Sequence, residues 1–334
     1  LLVWFSTIFV ILFLISYQVM ELSYSPLTDD VSRRVQDACV EAMPAGEMIV
    51  SPPGVVLPKN FRNYAQRILD LEVRKDDIWV ISFPKCGSTW TQEMVWLLKN
   101  DIDFEKAKSK YLYLRFPFLE YKALNAEGNS VPDTIHNVEI MESPRLIKTH
   151  LPVELLPRQI WTKNPKVIYV SRNPYDAAIS YFHHHRIWNN YQGSQELFLR
   201  AFVEDKVVYS PFWNHVKSYQ ALRNNENMLF IAFEDMKKDL AKVMKEVGDF
   251  LEVTYTKDQE AALLDHLSFA SMKNNSAVNF EADIREMQRA GDVRFMREGQ
   301  VGLWKKVLSP EFTKLFEEWT SKYLNEADRQ GISC

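Results

Sequence analysis

With 334 residues, 46% hydrophobic and 25% charged, the chain has a globular composition and room for one large α/β domain or two small ones. A net charge of −4 excludes whole-chain affinity for nucleic acid, so any cationic site has to be local. Its three cysteines, Cys39, Cys86 and Cys334, are odd in number, far apart and without metal-ligand spacing, which disfavours a disulfide framework and suits a reducing compartment.

Leu1 to Val19 is apolar, uncharged and close in length to a membrane-spanning helix. No basic residues precede it, and Met20 opens a polar, turn-rich stretch. The expectation is an upstream extension in 1–19, with a cytoplasmic protein folding from near Met20. A membrane anchor in 1–19 is the competing reading. Residues 20–56 read as an arm, irregular and rich in Pro and Gly from Pro44 to Pro58, ahead of one domain over 57–334.

Asn60 to Leu71 reads as a short amphipathic helix leading into a buried strand, Ile78 to Phe83. Pro84 to Thr89 is a turn, and helical spacing begins at Trp90, with Met94, Val95, Leu97 and Leu98 on the apolar side. Lys110 to Leu119 mixes Tyr, Leu and Phe without a period, as either a mobile loop beside a hydrophobic cavity or core aromatics. Leu146 to His150 and Val167 to Ser171 read as strands; Pro174 opens a helix running to about Asn189. Helices follow over Phe198–Val207 and Phe212–Arg223, then a strand at Met228–Phe233, then helices over Leu240–Leu251 and Gln259–Leu267. The last helix puts Phe312, Leu315, Phe316, Trp319 and Tyr323 on one face. The alternation indicates an α/β fold: a single domain with a central parallel sheet flanked by helices. Lys85, His150 and Arg172 all fall just after expected strands, where ligands of such sheets sit.

Strand, tight loop and helix is a geometry that points backbone N–H groups at an anion. Gly87 allows close approach, and Ser88 and Thr89 are able to cap the helix or donate to an oxyanion. The loop is not a nucleotide P-loop, because its lysine precedes the glycine and no earlier glycine stands before it. An ordinary capped helix with a neighbouring lysine is the other reading of these residues. The stretch Phe83-Pro84-Lys85-Cys86-Gly87-Ser88-Thr89-Trp90 resembles the 5′-phosphosulfate loop of the cytosolic sulfotransferases, which use 3′-phosphoadenosine-5′-phosphosulfate (PAPS), in an insect-like member.

Four further elements carry the resemblance, in order, across roughly Leu57 to Phe316. Lys148-Thr149-His150 matches the segment whose histidine is the family's catalytic base; an imidazole titrates near working pH and suits that task. Lys85 and Lys148 would then stabilise the sulfuryl group and the leaving phosphate oxygen. Arg172 with Ser180 matches the pair that holds the donor's 3′-phosphate, for which a planar guanidinium is suited. Phe233-Glu234-Asp235-Met236 stands where the family has Y-E-D-M, so the aromatic surface stays and the hydroxyl is lost. Trp90, Ser268, Phe269 and Met272 match adenosine-contacting positions, with Leu267 in place of a usual Thr. Phe295-Met296-Arg297-Glu298-Gly299 with Gly302 and Trp304 resembles a second 3′-phosphate loop, with Glu298 for a usual Lys and Leu303 for a usual Asp.

The resemblance implies a nucleotide-kinase-like sulfotransferase fold, PAPS as cosubstrate with adenosine 3′,5′-bisphosphate as product, no metal, no nucleic acid and a small hydrophobic alcohol or phenol as acceptor. Cys86, beside Lys85 at a helix start, is expected to be an oxidation-sensitive thiol that PAPS protects. His183, His184 and His185 cannot all face one metal from a helix. A homodimer stays open, but the family's dimer segment is poorly matched: Ser309-Pro310 replaces its Thr-Val and Lys314 its later Glu. The alternatives are a retinol-dehydratase-like enzyme of the same family and a non-catalytic adenosine-phosphate binder. An ATP-dependent kinase is disfavoured by the missing first glycine.

Overall fold

The computed structural model describes residues 21–40, 46–125, 128, 130–287 and 294–325. Four strands, β4 (Ile78–Ser82), β5 (Leu146–Thr149), β6 (Lys166–Ser171) and β7 (Met228–Ala232), form a parallel sheet in the order β5-β4-β6-β7. They read as continuous apolar runs because both faces are covered. Alternate side chains feed two cores. Trp79, Ile81, Ile147, Val167 and Tyr169 join one core with the helices Pro174–Trp188, Gln195–Val203, Phe212–Gln220 and Pro310–Tyr323. Ile78, Val80, Leu146, Ile168 and Val170 join the other with Ser88–Lys99, Leu240–Leu251 and Lys257–His266. At the amino edge a fully buried Arg145–Asp77 pair joins the strand starts, with Nη2 to Oδ2 at 2.6 Å.

The segment expected to be an irregular arm is largely strand. β1 (Ser23–Pro26), β2 (Glu47–Ser51) and β3 (Val55–Pro58) form an antiparallel sheet. Pro52, Pro53 and Gly54 are the hairpin turn, with Gly54 at φ +84°, rather than signs of missing structure. Met48, Val50, Val55 and Leu57 are buried in the core. Within β3, Val56 also exchanges backbone hydrogen bonds with Tyr209 and Ser210 (2.7 and 2.9 Å), which carries Tyr209 to the site.

Other departures have local causes. Asn60–Leu71 splits into a 3₁₀ turn, Lys59–Asn63, and a short helix, Ala65–Leu69. The expected Phe198 helix starts at Gln195 because Ser194 caps it, and the Gln259 helix starts at Lys257 because Thr256 and Gln259 form a capping box. Lys110–Leu119 is not a loose loop: Leu112–Arg115 is helical, Leu112, Phe116 and Leu119 are buried, and Pro117 to Leu119 bonds to both sides of Lys148 at 2.9 Å. Among the described residues no helix is long and apolar enough to cross a membrane; residues 1–19 lie outside them.

Candidate active site

The strand order fixes the order of the site. At the carboxyl edge His150, Lys85, Arg172 and Phe233 follow β5, β4, β6 and β7, so they stand side by side in that sequence. Contacts between neighbours confirm it. His150 Nδ1 lies 2.6 Å from the Ser82 carbonyl, Arg172 Nη1 donates to the Lys85 carbonyl at 3.0 Å, and the Arg172 guanidinium lies 4.2 Å over the Phe233 ring.

A carbonyl only accepts, so Nδ1 of His150 carries its proton and Nε2 keeps a lone pair. The rings of Phe118 (5.1 Å) and Tyr209 (5.5 Å) flank the imidazole. Its backbone is held by Glu120, which accepts from the His150 N–H (2.7 Å), the Thr149 hydroxyl (2.8 Å) and the Tyr209 hydroxyl (3.1 Å). His215 Nε2 donates to the His150 carbonyl at 3.1 Å. Burial, then the charge of Lys148, holds the His150 pKa well below the usual imidazole value, so the ring is neutral and its Nε2 carries no proton. Burial pushes the Glu120 carboxyl up to about 7 against those hydrogen bonds.

Lys85 sits in a left-handed backbone turn, φ +69°, with Nζ 3.9 Å over the Phe295 ring. Lys148 Nζ lies 4.1 Å over Phe118. Burial, then Lys148, Arg172 and Arg297, lowers the Lys85 pKa to about 7; burial lowers Lys148 to about 8. No carboxylate pairs with Lys85, Lys148 or Arg172 among the described residues. Gly87, not Ser88 or Thr89, occupies the cap of helix Ser88–Lys99, with φ +112°. A Cβ there would lie 3.1 Å from Phe233 and 3.2 Å from Met236, so only glycine keeps the loop down on the edge. Ser88 is buried in the first turn and Thr89 half-buried. Cys86 is 1% exposed and turned into the core, with Sγ 3.9 Å from the Pro84 carbonyl. The thiol expected to be oxidation-sensitive is thus buried by packing.

Most of the remaining expected residues are tied by contacts to Phe233 or to the loop 295–304. Trp90 donates from its indole to the Leu267 carbonyl (2.9 Å) and stands edge-on to Phe233 (5.8 Å). Ser268 caps the helix Phe269–Asn274, on which Met272 is buried. Lys237 Nζ lies 5.9 Å from the rings of both Trp90 and Phe269. Gly299, at φ +58°, rests on Phe269, which a Cβ would meet at 2.5 Å. Asp176 accepts from the N–H groups of Gly302 (2.6 Å) and Trp304 (3.0 Å), and Tyr175 stacks on Trp304 at 4.5 Å. The loop 295–304 is thereby tied to the helix that follows Arg172. Arg297 is half-buried and Glu298 exposed. Ser180 is half-buried two turns along that helix.

These residues fit a nucleotide that carries two separate anionic groups. Arg172 Nε is a buried donor with no partner among the described residues, no carboxylate there forms an ion pair with Lys85, Lys148 or Arg172, and aromatic side chains line one side. A profile of the sulfotransferase domain matches residues 75–328. The chain belongs to the sulfotransferase family. It is 38% identical over 283 residues to luciferin sulfotransferase of Photinus pyralis, covering 80% of this chain and 76% of that one. It is 33% identical to sulfotransferase 1E1 of Rattus norvegicus, covering 82% and 92%. A crystal structure of retinol dehydratase with androsterone and the inactive cofactor PAP superposes with a TM-score of 0.84 at 29% identity, over 92% of this chain and 97% of that one. This sulfotransferase is a PAPS-dependent transferase with the P-loop-like fold of its family.

Sequence reasoning found the cations and the imidazole but not what orients them. Glu120, Tyr209 and His215 have no motif. Glu120 is one carboxylate in an aromatic stretch, and its importance arises only when folding sets it beneath Thr149 and His150.

Proposed function

We propose that the protein transfers the sulfuryl group of PAPS to the hydroxyl of a small hydrophobic alcohol or phenol. The observation that carries this is the His150 imidazole, with Nδ1 engaged by the Ser82 carbonyl and Nε2 left unprotonated to accept, in the electrostatic reach of Lys148 and Lys85. When bound, PAPS supplies the sulfuryl group, and adenosine 3′,5′-bisphosphate leaves. His150 Nε2 accepts the acceptor's hydroxyl proton as its oxygen bonds to sulfur and the bridging S–O bond breaks. Lys85 and Lys148 stabilise the charge that develops on the departing oxygen, and they gain full protonation as that anion arrives. Arg172 and Ser180 hold the 3′-phosphate with the backbone of Arg297 to Gly299, while the exposed Glu298 side chain stays outside. Trp90, Phe233, Phe269 and Met272, capped by Ser268, enclose the adenosine. The backbone of Cys86, Gly87, Ser88 and Thr89 faces the 5′-phosphosulfate.

A cytoplasmic setting suits the odd number and wide spacing of the cysteines; tight membrane retention of the native protein after carbonate extraction would assign residues 1–19 to an anchor instead. A panel of phenols, sterols and retinoids with labelled donor tests the transfer. A second reading has support from the similarity to retinol dehydratase: the sulfated alcohol would lose sulfate, with net loss of water. Product mass separates the two, by gain of a sulfuryl group or loss of water. Binding of adenosine 3′,5′-bisphosphate with no transfer to any acceptor would defeat both.

A further inference from the structure

His183, His184 and His185 lie near the end of the helix Pro174–Trp188, and none has a part in the transfer described above. Successive residues on a helix turn by about 100°, so the rings point three ways. His185 is structural: it is 3% exposed, its Nδ1 lies 3.1 Å from the Tyr181 carbonyl, and Phe198 packs on it. His183 packs on Phe182, on the side of Arg297 and Arg186.

His184 turns toward the site. Its ring lies 6.2 Å from Trp188, which meets Phe280 at 5.9 Å; Phe280 meets Phe295 at 4.7 Å, and Lys85 sits over Phe295. On the other side it lies 5.6 Å from Tyr181, which packs against Phe83 two residues before Lys85. It is also one helical turn beyond Ser180. Nδ1 of His184 is buried without a hydrogen-bond partner among the described residues, although buried ring nitrogens are nearly always paired. Burial, then the charge of Lys85, holds its pKa well below the usual value, so the ring is neutral, with one donor and one acceptor.

We propose that His184 is a specificity-determining residue of the acceptor site, hydrogen-bonding a second oxygen, hydroxyl or carbonyl, remote from the acceptor hydroxyl that reacts. A half-turn about χ2 exchanges Nδ1 with a ring carbon in a ring of nearly symmetric outline, so either nitrogen serves. The neutral ring beside two lysines suits a neutral oxygen and repels a cationic amine. The favoured acceptors are therefore small hydrophobic molecules with oxygen functions at both ends. This rests on the transfer reading.

The test compares kcat/KM for a 4-alkylphenol and the 4-(ω-hydroxyalkyl)phenol of equal chain length. Wild type is expected to favour the two-oxygen acceptor by roughly tenfold, as a buried polar group distinguishes a partner from its absence. His184→Phe is expected to remove that preference and His184→Gln to keep most of it; His184→Met replaces the Phe variant if that does not fold. An unchanged preference in the apolar variant overturns the inference. Binding of the same pair to the protein loaded with adenosine 3′,5′-bisphosphate, read by calorimetry, separates the two claims. A binding preference without transfer supports His184 and sinks the transfer reading; transfer without a preference does the reverse, and no binding of either acceptor overturns both.

Discussion

The carboxyl edge of the sheet and the loop 295–304 direct cations into one space by different means. At the edge, strand pairing sets the spacing, and Glu120, Ser82 and His215 fix the backbone and one nitrogen of His150. In the loop, Asp176 accepts two backbone N–H groups, glycines take left-handed turns, and Tyr175 stacks on Trp304. The edge is a buried framework with one nitrogen left to react. The loop is a strap held from one side, and it carries the exposed carboxylate of Glu298. Chemistry that needs sub-ångström placement belongs on the first; affinity for a phosphate tolerates the second.

The largest effect should come from the edge. His150→Ala is expected to lower kcat by about 10²–10⁴, the usual contribution of a positioned base, with little change in the affinity for adenosine 3′,5′-bisphosphate. Calorimetry beside turnover checks this split; retained turnover would remove His150 from the reaction.

The pH dependence of donor binding is the next largest. Burial lowers the free Lys85 pKa to about 7 and Lys148 to about 8. A bound anion raises both, so binding takes up protons. Affinity is then full below the free values and falls as pH rises through them, by up to about tenfold per unit for each lysine until the bound pKa is reached. His150, held neutral throughout, adds nothing to this limb. Titrations at pH 8 in buffers of different ionisation enthalpy would show the uptake; proton release would contradict it.

The same contrast explains what was legible. That Lys85, His150 and Arg172 meet follows from each standing just beyond an apolar run, since parallel strands end on one edge. Their lateral order does not follow, because β5 pairing beside β4 is a long-range choice that no local pattern encodes. The Glu47–Pro58 hairpin was obscured by its Pro-Pro-Gly turn, a signal of reversal as much as of disorder. Gly87 and Gly299 show their reason only in three dimensions, against Phe233 and Phe269.

In the strap, Asp176→Ala should free the Gly302 and Trp304 N–H groups and weaken adenosine 3′,5′-bisphosphate binding by roughly tenfold, a hydrogen bond or two to a charged group. The kcat at saturating PAPS should hold, because His150 has no contact with Asp176. An equal fall in kcat would mean that the strap also orders the edge.

The smallest effect belongs to Glu298. Its side chain is exposed, so its charge would act on the proposed phosphate site through solvent, where a pair contributes about 0–1 kcal/mol. Glu298 also faces the neighbouring Arg297, whose guanidinium its charge partly offsets. Glu298→Lys removes an opposing charge and adds a favourable one, so adenosine 3′,5′-bisphosphate should bind about two- to fivefold tighter, the gain shrinking as salt screens it. Equal or weaker binding at low salt would place residue 298 outside the reach of the phosphate, and the strap would then recognise its ligand through Arg297 and backbone alone.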